Sequence, residues 1–157
     1  MTGLLIVILI LVLSTVFGLW RRHVDGKVRK VENTTLLRTL ETGETVSNNV
    51  SETLLGESLG SQATFVQFSS KICGTCHQTR ATILDVIGGM PGVKLVEISV
   101  ETGLGLWDTR FNIRRTPTVL ILDVGGVVRV RAVGGMRKED VFNGLTMVLS
   151  SNGVAND

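Results

Sequence analysis

Two cysteines, Cys73 and Cys76, stand in the run Cys73-Gly74-Thr75-Cys76-His77, and the chain has no others. Thiol chemistry in this protein happens there or nowhere. Two cysteines three apart at a helix start bring their sulfurs within reach of one disulfide, the first at the helix end and the second one turn in. Backbone N–H groups and the positive end of the helix dipole favour a thiolate at the first position, lowering the pKa of Cys73 below the free-thiol value of about 8.5. Cys73 is then expected to attack a disulfide and Cys76 to resolve the mixed disulfide, because exchange proceeds by thiolate attack on sulfur. The same residues also match the C-x-x-C-H signature of covalent c-type haem, with the histidine as axial ligand. Haem needs a pocket and usually a second axial ligand, and Met90, Met136, Met147 and His23 stand in no evident pocket, so no cofactor is expected. Zinc needs four ligands, and Cys76 and His77, adjacent on one helix turn, do not easily point at one ion, so no metal is expected.

The elements that must hold this pair follow from hydrophobic patterning. An apolar strand over Ala63–Phe68 precedes the cysteines, and a helix over Cys76–Ile87 follows. Val93–Val100 and Thr118–Asp123 are nearly continuous apolar runs, which predicts central strands covered on both faces. Gly125-Gly126 predicts a hairpin into Val127–Val133. Leu104, Trp107 and Phe111 fall at helical spacing, as do Val141, Leu145, Val148 and Leu149, so each set predicts a helix lying on the sheet. The fold class is therefore α/β, a mixed sheet flanked by helices. Pro117 opens the Thr118 strand, a position where proline is tolerated, and an X-Pro bond is the only common site of a cis peptide.

In this order of strand, CGTC, helix, strand, helix, Thr-Pro-Thr strand, hairpin and final helix, the segment from about Ser61 to Leu149 resembles the thioredoxin superfamily. The resemblance implies a thioredoxin-like fold and a thiol-disulfide oxidoreductase acting on protein disulfides, with a dithiol electron donor not named by the sequence. It also implies that Pro117 is cis opposite the cysteines and that the backbone of Thr116 pairs with the substrate chain. This chain departs from the pattern in carrying Ile72 in place of a tryptophan, Thr75 in place of a proline, and Gln67 in place of a buried aspartate. Gln67 takes no proton at ordinary pH, so help in deprotonating the resolving cysteine is missing. Glu97, which strand alternation places beside Gln67, is a candidate for proton transfer; the competing expectation is that it reaches solvent. The departures leave a non-catalytic interaction module as one alternative, beside c-type haem attachment through Cys73-Gly74-Thr75-Cys76-His77.

Gly3 to Trp20 is free of charge, and 18 residues of helix reach about 27 Å, close to the hydrocarbon thickness of a bilayer. Residues 1–22 read as a transmembrane anchor. No basic residue precedes the apolar run and no small-residue cleavage site follows, as a secretory signal requires. Arg21, Arg22, Lys27, Arg29 and Lys30 follow at once, so the positive-inside rule predicts a single-pass membrane protein with its domain in the cytoplasm. There the ambient poise favours reduction of substrate disulfides. Residues 23–60 read as a polar linker with a short helix capped near Asn49, and 61–157 as one domain. Asn33-Thr34-Thr35 and Asn49-Val50-Ser51 match the glycosylation triplet, but that pattern needs a secretory setting. The net charge of +2 gives no case for nucleic acid, and the basic run suits membrane lipid instead.

Overall fold

The computed structural model describes residues 2–24, 27–31, 49–102, 105, 107 and 111–154. Its first element is helix α1, Thr2–Val24, whose apolar span Thr2–Trp20 is 19 residues long and wholly unburied. That span is long and apolar enough to cross a membrane.

A five-stranded mixed sheet follows, built from β1 (Arg29–Lys30), β2 (Ala63–Ser69), β3 (Val93–Ser99), β4 (Thr118–Leu122) and β5 (Val128–Val133) in the spatial order β1-β5-β4-β2-β3. Among the described residues, only β2 and β3 run parallel. Helix α2 is the short Glu52–Leu55, α3 is Gly74–Ile87 and α4 is Lys138–Val154. Alternation along β2 divides the core. Ala63 and Phe65 face α3 and α4, with Ile83, Ile87, Val141, Leu145 and Val148. Val66 and Phe68 face the other way, onto Val50, Leu55, Trp107, Phe111 and Ile113. Phe65 and Phe68 are both fully buried, each contributing about 1.5–3 kcal/mol.

Several expectations meet differences. The run Val93–Val100 is not a central strand: β3 lies at the sheet edge, with Lys94 and Glu97 exposed. An apolar run reports that both faces of a strand are covered by helices, not that both edges are paired. Leu149 is 37 % exposed, so the buried stripe of α4 ends at Val148. Leu104 lies outside the described residues, while Trp107 and Phe111 are buried with ring centroids 5.4 Å apart.

The short helix is capped by Ser51, whose Oγ accepts from the Leu54 amide at 3.2 Å, and not by Asn49. Asn49 instead bridges to Val127 and donates from Nδ2 to the Gly125 carbonyl at 3.0 Å, tying the chain to the hairpin. Within the segment expected to be linker, β1 adds to β5 as an edge strand, and Val50 and Leu55 enter the core. Two residues are too short a strand to stand out by alternation in a basic stretch.

Candidate active site

Helix α3 begins directly behind β2, two residues earlier than the patterning predicts, because Gly74 and Thr75 are already helical and Cys73 is the N-cap. The Cys76 amide donates to the Cys73 carbonyl at 3.1 Å, and the Cys73 amide donates to the Ser70 carbonyl at 3.1 Å, folding the loop over the sheet end. Cys73 and Cys76 are joined as a disulfide, with Cα atoms 5.4 Å apart. Exposure differs sharply between them. Cys76 is 2 % exposed, whereas Cys73 is only half-buried, so an incoming sulfur reaches Cys73 first. Ile72 beside it is 96 % exposed, presenting an apolar side chain to solvent next to the reactive sulfur.

The peptide bond Thr116-Pro117 is cis. The Ser70 and Thr116 hydroxyls lie 3.3 Å apart, which links the loop leading into Cys73 to the loop carrying Pro117. The Pro117 carbonyl accepts from the Gly134 amide at 2.8 Å, and a Cβ on Gly135 would stand 2.7 Å from Cγ2 of Thr75. Thr116, Pro117 and the Gly134-Gly135 corner therefore close around the CGTC turn. Arg131, whose pKa burial lowers, holds the chain upstream of Thr116 through the Phe111 and Asn112 carbonyls, the latter at 2.9 Å.

Behind the disulfide, Gln67 is fully buried. Its Nε2 donates to the Cys76 carbonyl at 3.0 Å, while its Oε1 has no hydrogen-bond partner among the described residues. Glu97 is its register partner on β3, but the carboxylate turns outward and pairs with Arg80 on α3 at 3.3 Å. Glu97 and Gln67 are neighbours in the sheet without meeting. His77 is exposed on the first turn of α3.

One residue at this end carried no recognisable signal in the sequence. Glu101, in the 3-10 turn Val100–Thr102, accepts from the Lys71 amide at 2.6 Å and from the Ser99 hydroxyl, thirty positions from Lys71 along the chain. These hydrogen bonds, the one from Ser99 first, hold its carboxyl below the ordinary value of 4.5. They secure the loop ahead of Cys73.

A five-stranded mixed sheet with flanking helices, a C-x-x-C pair at the end of its second strand and a cis proline beside it defines a thioredoxin-like fold. The chain is similar to the solved structure of malaria parasite thioredoxin-2, described as a component of the protein secretion machinery: 14 % identity, TM-score 0.51, covering 59 % of this chain and 89 % of that one. It is also similar to oxidised thioredoxin O2 from Arabidopsis thaliana, at 25 % identity and TM-score 0.45, covering 58 % and 75 %. A third similar structure is MTB DsbF, at 19 % identity and TM-score 0.47, covering 62 % and 84 %. No family model and no curated protein matches the sequence.

Proposed function

We propose that this chain is a membrane-anchored thiol-disulfide oxidoreductase that reduces protein disulfides with the Cys73–Cys76 dithiol. The reading is carried by one observation: a bonded cysteine pair at a helix start, with the first cysteine partly exposed and the second buried. The thioredoxin-like fold around it supports the same class of chemistry.

In the reduced protein, the Cys73 thiolate attacks one sulfur of the substrate disulfide. A Cys73–substrate bond forms, and the other substrate sulfur leaves as a thiolate and is protonated. Cys76 then loses its proton and attacks Cys73 Sγ, which releases the second substrate thiol and leaves the Cys73–Cys76 disulfide. Two electrons have passed to the substrate. A dithiol donor restores them by the same exchange run against the Cys73–Cys76 bond. The cis Thr116-Pro117 segment, joined to the Ser70 loop, is suited to lie along the substrate chain opposite the sulfurs. Glu97 at the surface is offered as a proton relay only through solvent, since Arg80 holds it away from Gln67. Helix α1 is the anchor, and the basic residues behind it favour a cytoplasmic domain, where glutathione and thioredoxin-type couples favour reduction.

The role assignment is tested by trapping. Cys76→Ser removes the resolving sulfur, so a substrate protein should accumulate as a reducible adduct on Cys73. If no adduct forms while Cys73→Ser still turns over, the two roles are reversed. A Soret band on the purified protein with no recoverable thiols would instead point to haem attachment at the same cysteines.

A further inference from the structure

Where the chain joins the sheet decides which end of the domain the membrane meets. Helix α1 stops at Val24 and β1 starts at Arg29. Five Cα steps separate them, at most about 18 Å however the chain runs. Strand β1 is antiparallel to β5, with Arg29 opposite Arg131 and Lys30 opposite Val130, and the Val31 amide donates to the Arg129 carbonyl at 2.8 Å. It therefore begins near Val133 and descends toward the Asp123 hairpin. Val133 is opposite Thr118, and Thr118 is opposite Phe68. That is the end where β2 hands over to Cys73 and where Pro117 opens β4. The chain thus arrives from the helix at the cysteine end of the sheet, three strand spacings, or about 14 Å, from β2. Attached at the other end, beside the hairpin, the same short connection would turn the cysteines away from the helix.

Charge runs the same way. Lys27, Lys71, Arg114 and Arg115 are exposed at the cysteine end, where Glu101, hydrogen-bonded to the Lys71 amide and the Ser99 hydroxyl, supplies one opposing charge. The far end exposes Glu52 and Glu57 with one cation, Lys94, whose Nζ donates to the Ser58 carbonyl at 3.2 Å. Each cation near an anionic leaflet is drawn toward it. Between these cations Ile72 stands exposed beside Cys73.

We infer that the cysteine end of the domain faces the bilayer, and that its substrates are disulfides in membrane proteins held just outside the headgroups. This rests on the anchored exchange activity proposed above, and the bond making and breaking are those already given. A bulky soluble protein must fit between the site and the headgroups. A juxtamembrane segment already lies there and diffuses in the same plane, which raises its effective concentration.

The test uses the full chain in vesicles of phosphatidylglycerol and phosphatidylcholine, first checked by flotation. One fluorophore is placed on Cys73 in Cys76→Ser; another is placed at the far end in Cys73→Ser/Cys76→Ser/Val124→Cys, Val124 being 51 % exposed in the hairpin. Headgroup spin-labelled lipid should quench the Cys73 label several-fold more than the label at 124. In a second arm, the unmodified protein, reduced beforehand with a small dithiol and freed of it, receives one disulfide-bonded peptide, either free or carrying a lipid chain; the lipidated form should be reduced at least about tenfold faster. Equal or stronger quenching at 124, or equal reduction of both peptides, overturns the inference. Failure to float overturns the anchor, and flotation without reduction of either peptide overturns the exchange activity. Each of those also removes this inference, and each is distinct from a failure of orientation.

Discussion

Gln67→Glu is a one-atom change in a fully buried side chain, and its consequence follows from where that side chain points. The Gln67 amide donates to the Cys76 carbonyl, so the replacing oxygen would face another oxygen unless it carries a proton. The cation on the neighbouring surface, Arg80, is already paired with Glu97. Burial without a cation raises a carboxyl pKa by about 2–3 units from its unfolded value near 4.3. Each unit is worth 1.36 kcal/mol, so ionisation costs the folded state about 3–4 kcal/mol. The sign follows from linkage: a folded-state pKa raised above the unfolded one means the native protein holds the proton longer. Stability relative to the parent should therefore be greatest below about pH 4.3, fall with rising pH, and level off above the folded-state pKa. Urea denaturation of both oxidised proteins in detergent micelles at acid, neutral and mildly alkaline pH reads this directly. Gln67→Leu supplies the control, since losing a bond of about 1 kcal/mol is offset by removing the orphaned oxygen. A Gln67→Glu deficit that is the same at every pH would refute the reasoning.

The Cys73 thiol in the reduced protein should have a pKa below about 8.5, because it is the N-cap of α3; alkylation rate against pH gives the inflection, and one at or above that value contradicts the claim. Gly126→Ala should cost at least about 2 kcal/mol, because the residue has φ +77 and an added Cβ would lie 2.3 Å from the Val50 carbonyl oxygen; chemical denaturation measures it. The carboxylate of Glu101, whose pKa is lowered, supports the Lys71 loop fully above its unfolded value of 4.5 and releases it as pH falls through the folded-state value. Amide exchange at Lys71 should therefore gain protection less steeply in Glu101→Gln than in the parent when pH rises through that window.

Much of this was legible because the signals were local. A strand running into C-x-x-C, a proline opening another strand and a Gly-Gly hairpin each report on a few neighbouring residues. The turn at Asp123 is an example: its carboxylate accepts from the Gly125 and Val127 amides at 2.9 Å each, all within five positions. What escaped depends on distance in sequence. The Glu101 contact with Lys71 and the docking of β1 on β5 join residues that only the folded sheet brings together. The edge position of β3 escaped for a different reason: burial of strand faces leaves the same apolar signature whether or not the strand's outer edge is paired. Gln67 was read as incapable of proton transfer, but that its amide would clamp Cys76 and leave one oxygen orphaned required the helix to be in place.

The most direct test counts thiols through one cycle. The purified full chain is reduced with a small dithiol, freed of reductant, mixed with an oxidised substrate protein, and alkylated for mass analysis before and after. Two alkylated cysteines before mixing and none after, with equal gain of thiols on the substrate, is the predicted result. Thiols on Cys73 and Cys76 that survive contact with every disulfide offered would contradict it.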